Sequence, residues 1–105
     1  MIDYESLIAK YCAGNAELQH ILLTHSRQVA DRALTILAAH PEWVESGEVD
    51  PVFVEEAAML HDIGVVFCDA PKIHCTGPHA YIEHGYLGAE ILRNEGLPKH
   101  ASVAE

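Results

Sequence analysis

Apolar residues along this chain recur at helical spacing in successive blocks, separated by residues that favour turns. Leu18, Ile21, Leu22, Val29, Ala33, Ile36 and Leu37 share one stripe of a 3.6-residue repeat. That stripe predicts a long helix over about Ala16–Ala39, capped by Asn15 and stopped before Pro41. A short helix, about Asp3–Cys12 and ended by Gly14, precedes it. After a polar loop from Pro41 to Val49, Asp50 caps a further helix with Pro51 at its first position. Phe53, Ala57, Leu60 and Gly64 line one side of that helix. Two prolines and Gly77 make Val65–Pro78 a loop. A helix over about His79–Asn94 follows, with His84, Leu87, Gly88 and Ile91 on one face. Gly96 and Pro98 stop it, and Pro98 opens another helix that runs toward Glu105. No strand-like alternation stands out, so the predicted fold class is all-α.

Composition narrows this picture without changing it. The 105 residues make one domain, spanning residues 1–105, with half of the residues apolar and 21% charged. A net charge of −10 leaves no basic stripe to displace counterions, which argues against a nucleic-acid polymer as partner. A small phosphorylated substrate stays compatible, because a bound cation outweighs the surrounding acidity locally. No uncharged apolar run approaches membrane-spanning length. The acidic start Met1-Ile2-Asp3-Tyr4-Glu5 has no basic region of the kind that opens a signal peptide. Cys12, Cys68 and Cys75 form no disulfide framework; reduced thiols and a cytoplasmic location are expected.

The candidate chemistry sits where apolar stripes carry polar residues. His61 and Asp62 lie between Met59-Leu60 and Ile63, where a buried imidazole and carboxylate are costly unless paired. A divalent cation would satisfy both. His25 falls inside the stripe of the long helix, and His84 on the face of the later one, so three helices are expected to turn a histidine inward. Imidazole with carboxylate suits zinc, iron, manganese, nickel or cobalt, with magnesium also open, and singles out none. Adjacent residues differ by about 100° around a helix, so His61 and Asp62 reach one ion only near a helix end. Gly64 supplies such an end.

These residues resemble the HD-domain metal-dependent phosphohydrolases. That family places a histidine on one helix, a His-Asp pair on a later one and an aspartate on a final helix. Leu22-Leu23-Thr24-His25-Ser26-Arg27-Gln28-Val29-Ala30 is similar to the first element, and His61-Asp62-Ile63-Gly64 to the second. His84, Gly88, Ile91 and Leu92 resemble the later His-x-x-x-Gly-x-x-Ile-Leu segment, whose histidine binds a second ion in two-metal members. The resemblance covers about Leu18 to Pro98. It implies an HD-type helical bundle with His25, His61, Asp62 and His84 as ligands of a divalent metal ion. Asp62 is then the catalytic carboxylate, bridging if there are two ions. The final aspartate has no counterpart here, and Val65 stands where some relatives carry a lysine. The domain is therefore expected to be C-terminally incomplete, a natural truncation or a fragment, with a homodimer covering the exposed helix faces.

The resemblance implies hydrolysis of a small phosphorylated compound, a phosphomonoester or something nucleotide-like, by metal-activated water. The alternative is a catalytically silent metal- or ligand-binding module acting through dimerisation. A purely structural bundle would instead show the three histidines hydrogen-bonded with no shared focus. Cys68, Asp69, His74, Cys75 and His79 share one loop, but their spacing matches no zinc pattern, and the loop is expected to shape the cleft. Neither Cys68 nor Cys75 has the basic support of a nucleophile. His20, His40, Arg27 and Lys72 are read as surface residues. His-Glu-x-x-His and a Gly-rich phosphate loop are both absent.

Overall fold

Short polar side chains fix where three of the helices start. In the computed structural model, which describes residues 1–105, Asp3 Oδ1 accepts the Ser6 backbone N–H at 3.1 Å. Asn15 Oδ1 accepts that of Leu18 at 3.1 Å, and Asp50 Oδ1 that of Val52 at 3.0 Å. Each bond satisfies a donor that a helix N-terminus otherwise leaves unpaired. The helices so opened are α1 (Tyr4–Tyr11), α2 (Ala16–Ala38) and, after a short α3 (Pro41–Glu45), α4 (Pro51–Leu60). Two more complete the set, α5 (His84–Asn94) and α6 (Pro98–Ala104). The all-α expectation is borne out. No helix is long and apolar enough to cross a membrane.

Three segments differ from the sequence reading. The loop expected after Pro41 opens with the five residues of α3, where the Trp43 ring stacks on His40 with centroids 3.9 Å apart. The region expected to be a plain loop is ordered. It holds a 3₁₀ turn (Ile63–Phe67), then β1 (Asp69–Ala70) paired antiparallel with β2 (Cys75–Thr76) around a second 3₁₀ turn, Pro71–Ile73. The following helix begins at His84 rather than His79. The backbone of His79 is already engaged, donating to Phe67 O at 3.0 Å and accepting from Asp69 N at 2.8 Å, so it cannot enter a helix. A 3₁₀ turn, Tyr81–Glu83, leads into α5 instead.

The core forms where α2 lies along α4 while α5 packs on α6 and on the Ile63–Phe67 turn. Ile8, Leu60, Ile63 and Leu92 are fully excluded from solvent. Burial of such a side chain stabilises by about 1.5–3 kcal/mol. α2 is about 34 Å long at 1.5 Å per residue, which accounts for the elongated 43 × 24 × 24 Å shape. One contact needs glycine. A Cβ on Gly64 would lie 1.9 Å from His84 O and 2.4 Å from Gly88 N. The backbone of α5 thus rests directly on the turn that follows His61-Asp62, and this brings His84 beside them.

Candidate metal centre

His61 is the C-cap of α4, and Asp62 (φ −104°, ψ 12°) precedes the 3₁₀ turn. The chain leaves the helix between them, so adjacent side chains that a continuous helix would splay apart can meet. His61 Nε2 lies 3.2 Å from Asp62 Oδ2. From α2, His25 Nε2 approaches the same oxygen at 3.0 Å. From the start of α5, His84 Nε2 stands 3.4 Å from the other oxygen, Oδ1. Three imidazoles surround one carboxylate, two at one oxygen and one at the other.

The ligand atoms of His25, His61 and Asp62 lie within 4.8 Å of one another, close enough to share one metal ion. His84 stands outside that tight group, on the far oxygen. His25, expected to turn inward, is half exposed at 51% of its side-chain surface. Asp62 retains only 18%. The reason is positional: Leu18 and Leu22 on the same stripe are buried, but at the level of His25 the face of α2 opens onto a cleft.

Hydrogen bonding on the far side of two rings decides what their near sides present. His61 Nδ1 is 2.5 Å from Ala58 O, and His84 Nδ1 is 2.7 Å from Tyr81 O. A carbonyl oxygen only accepts, so both Nδ1 atoms carry hydrogen. In its neutral form each ring then turns an Nε2 lone pair toward the Asp62 carboxylate. Lone pairs facing at these distances repel unless a proton or a cation lies between them. The donor set therefore fits a divalent metal, with the outer hydrogen bonds already fixing tautomer and ring orientation. The same geometry sets the charge states. The Asp62 carboxylate bonded to His61 raises that imidazole above its ordinary 6.5, against burial and with help from Ala58 O. In return, the His61 hydrogen bond holds Asp62 below its ordinary 3.8 despite burial, and attraction from His61, His84 and His25 adds to it.

Beside this centre lies a cleft of about 230 Å³ whose wall includes His25 and Asp62. Val65, the residue after Gly64, faces it. So do Ile73, from the turn between β1 and β2, and Tyr81, whose ring packs 4.6 Å from that of His84. The Val65–Pro78 segment thus shapes the cleft, as expected. Its cysteines do not line the cleft. Cys68 and Cys75 are buried, burial pushes both thiols up, and Cys68 Sγ faces Gly64 O at 3.6 Å. His79 pairs with Glu83 at 3.3 Å. Arg27 is engaged by Asp31 at 3.1 Å, Glu55 at 3.5 Å and the Tyr4 hydroxyl at 3.1 Å.

Sequence reasoning missed one polar pair altogether. Glu56, one helical turn before Leu60, is buried and its Oε1 lies 3.0 Å from His100 Nε2 on α6. Its other oxygen accepts the Ile2 backbone N–H at 2.7 Å. The signal was present: Glu56 lies three residues from Phe53 and four from Leu60, on the stripe assigned to the core.

A helical domain that gathers histidines from three segments around the aspartate of a His-Asp pair belongs to the histidine–aspartate class of domain. The family model described as HD domain matches residues 22–105, and the chain belongs to that family, as the His61-Asp62-Ile63-Gly64 resemblance implied. This is a superfamily of metal-dependent phosphohydrolases. Neither the curated proteins nor the solved structures contain a match to the chain.

Proposed function

We propose that this HD domain hydrolyses a small phosphorylated compound, using a divalent ion held by His25, His61, Asp62 and His84. The supporting observation is the set of imidazole Nε2 atoms directed at one carboxylate, two with Nδ1 committed to a backbone carbonyl. Such an ion (manganese, iron, zinc, nickel, cobalt or magnesium) supplies a water that is nucleophilic near neutral pH and a positive charge against the phosphoryl oxygens. Asp62 is the shared carboxylate, with Oδ2 toward His25 and His61 and Oδ1 toward His84, an arrangement that can serve one ion or two. The backbone carbonyls of Ala58 and Tyr81 keep their imidazoles aimed throughout. The acidic chain, at −10, favours a small substrate over a nucleic-acid polymer, and a second copy of the chain is the expected protein partner.

The test is metal analysis of the purified protein together with phosphatase assays in added manganese or nickel. We expect bound metal, ester hydrolysis, and loss of both in Asp62→Ala. Absence of metal from the wild type, or unchanged binding in Asp62→Ala, would refute the proposal. A second reading is favoured by the makeup of the tight donor group, which holds a single carboxylate. On that reading the domain binds metal or ligand without turnover. Metal binding with no hydrolysis of any ester would select it.

A further inference from the structure

The cleft beside the centre carries information about the substrate. This inference rests on the hydrolase reading above and extends it to the group that leaves phosphorus. Apart from His25 and Asp62, the walls are Leu18, Ile21, Leu22, Val65, Ile73 and Tyr81. Five of these six offer no side-chain hydrogen bond at all, and the Tyr81 hydroxyl is the sixth's only one. None of the chain's six lysines and arginines lines the cleft. Lys10 pairs with Glu95, Arg27 with Asp31 and Glu55, and Arg93 with Glu105.

Each feature excludes a substrate type. A di- or triphosphate adds negative charge that no basic side chain in the cleft receives, in a chain already at −10. A sugar or polyol brings hydroxyls into an apolar wall, and each one left unpaired weakens binding by roughly five- to a hundredfold. An apolar group meets no such cost, and the volume suits it. An apolar cavity of about 150 Å³ takes a benzene ring, so about 230 Å³ holds a single ring with small substituents.

We propose that the substrate is the monophosphate ester of a small, uncharged, apolar alcohol, aryl or branched alkyl, whose organic part lies in this cleft. Water oxygen forms the new bond to phosphorus and the ester P–O bond breaks. The electron pair of that bond leaves with the alcohol oxygen, which takes up a proton, giving free alcohol and inorganic phosphate. Leu18, Ile21 and Leu22 on α2 face the leaving group while His25, one turn further along, faces the phosphoryl end.

The experiment uses the full chain loaded with manganese and compares phenyl phosphate, glycerol 2-phosphate and ATP. We expect kcat/KM for phenyl phosphate to exceed the other two by about a hundredfold. Ile73→Asn, at the rim of the cleft and away from the metal ligands, is expected to raise KM for phenyl phosphate at least tenfold with metal content unchanged. In parallel, metal-free protein is titrated with phenol, and the methyl resonances of Ile21, Leu22 and Ile73 are followed. Shifts confined to these methyls support an apolar subsite, and their absence overturns it. Equal or better turnover of glycerol 2-phosphate or ATP also overturns the proposal, as does an unmoved KM in Ile73→Asn. If no ester is hydrolysed, the hydrolase reading fails, and the phenol titration alone then decides whether the cleft receives an apolar group.

Discussion

Two carboxylates six residues apart meet imidazoles in this protein, and they end in opposite situations. Glu56, inside α4, is closed on every side: His100 takes one oxygen, the Ile2 N–H takes the other, and the Phe53 ring packs 4.8 Å from the histidine. Asp62, just past the end of the same helix, has three imidazoles around it and an open cleft beside it. The first pair ties the N-terminus and α6 to α4, and both oxygens of its carboxylate are spoken for, although the buried His100 Nδ1 has no partner. In the second, lone pairs converge with nothing but a proton to separate them, which is a poor way to stabilise a fold and a good way to bind a cation. The chemistry is nearly the same. Saturation of the carboxylate oxygens, set by the surrounding helices, separates the structural pair from the candidate centre.

The comparison breaks most readily at Glu56. Glu56→Ala strands the Ile2 N–H and His100 in the core, and removing one member of a buried pair costs about 3–5 kcal/mol. Urea unfolding should register this, with metal binding retained in the folded fraction. Gly64→Ala comes next, at about 3 kcal/mol, because backbone on both sides must retreat from the new Cβ. It should also move His84 away from Asp62, seen as weaker metal binding in calorimetry. Asp62→Ala inverts the pattern, lowering metal affinity by more than about a hundredfold, above the usual cost of losing an outer partner. Its effect on metal-free stability should be well below that of Glu56→Ala. Equal destabilisation with metal binding intact would abolish the distinction drawn here.

Acid sharpens the contrast. Burial works against the Glu56 carboxylate, but the hydrogen bonds from Ile2 and His100 together outweigh it and hold its pKa below the ordinary 4.5. The unfolded chain therefore takes up this proton first. The stability contributed by Glu56 is fully present above about pH 4.5 and is lost as pH falls through the lower folded value. Glu56→Gln should flatten that limb of the stability profile. At the other centre, a metal must displace a proton from His61, whose pKa lies above 6.5. Metal affinity should then fall by about tenfold per pH unit once pH drops below that raised value. For the metal-free fold the sign is opposite: the His61 contribution is complete below pH 6.5 and lost as pH rises through its folded value. Replacing both members of the buried pair, Glu56→Leu with His100→Phe, should cost less than Glu56→Ala, about 1–3 kcal/mol, because no charge is left unpaired and only the Ile2 N–H loses its acceptor.

Much of this was legible from local pattern. The spacing of Leu18, Leu22, Leu37 and Leu60 placed the long helices, and Asn15, Asp50 and Pro51 placed their starts, because caps and periodicity act over three or four residues. His61, Asp62 and His84 stood out as polar groups in apolar stripes, and Gly64 as the break that lets the first two meet. Periodicity misjudged His25, whose ring is half exposed, because a stripe gives direction around a helix and not what stands opposite. It missed α3, the hairpin and the late start of α5, where single backbone bonds at His79 override propensity. Glu56 stayed hidden because its partner lies 44 residues away, and a charge inside an apolar stripe reads as an exposed neighbour until that partner is seen.

The sequence alone determined the longer helices, the family and the candidate donors, since each is written in short runs of residues. Only the tertiary structure decided which carboxylate is saturated and which is open, which nitrogen of each ring faces inward, and that the cleft wall is apolar. These depend on contacts between segments far apart in the chain, and their distances and angles exist only once α2, α4 and α5 have packed.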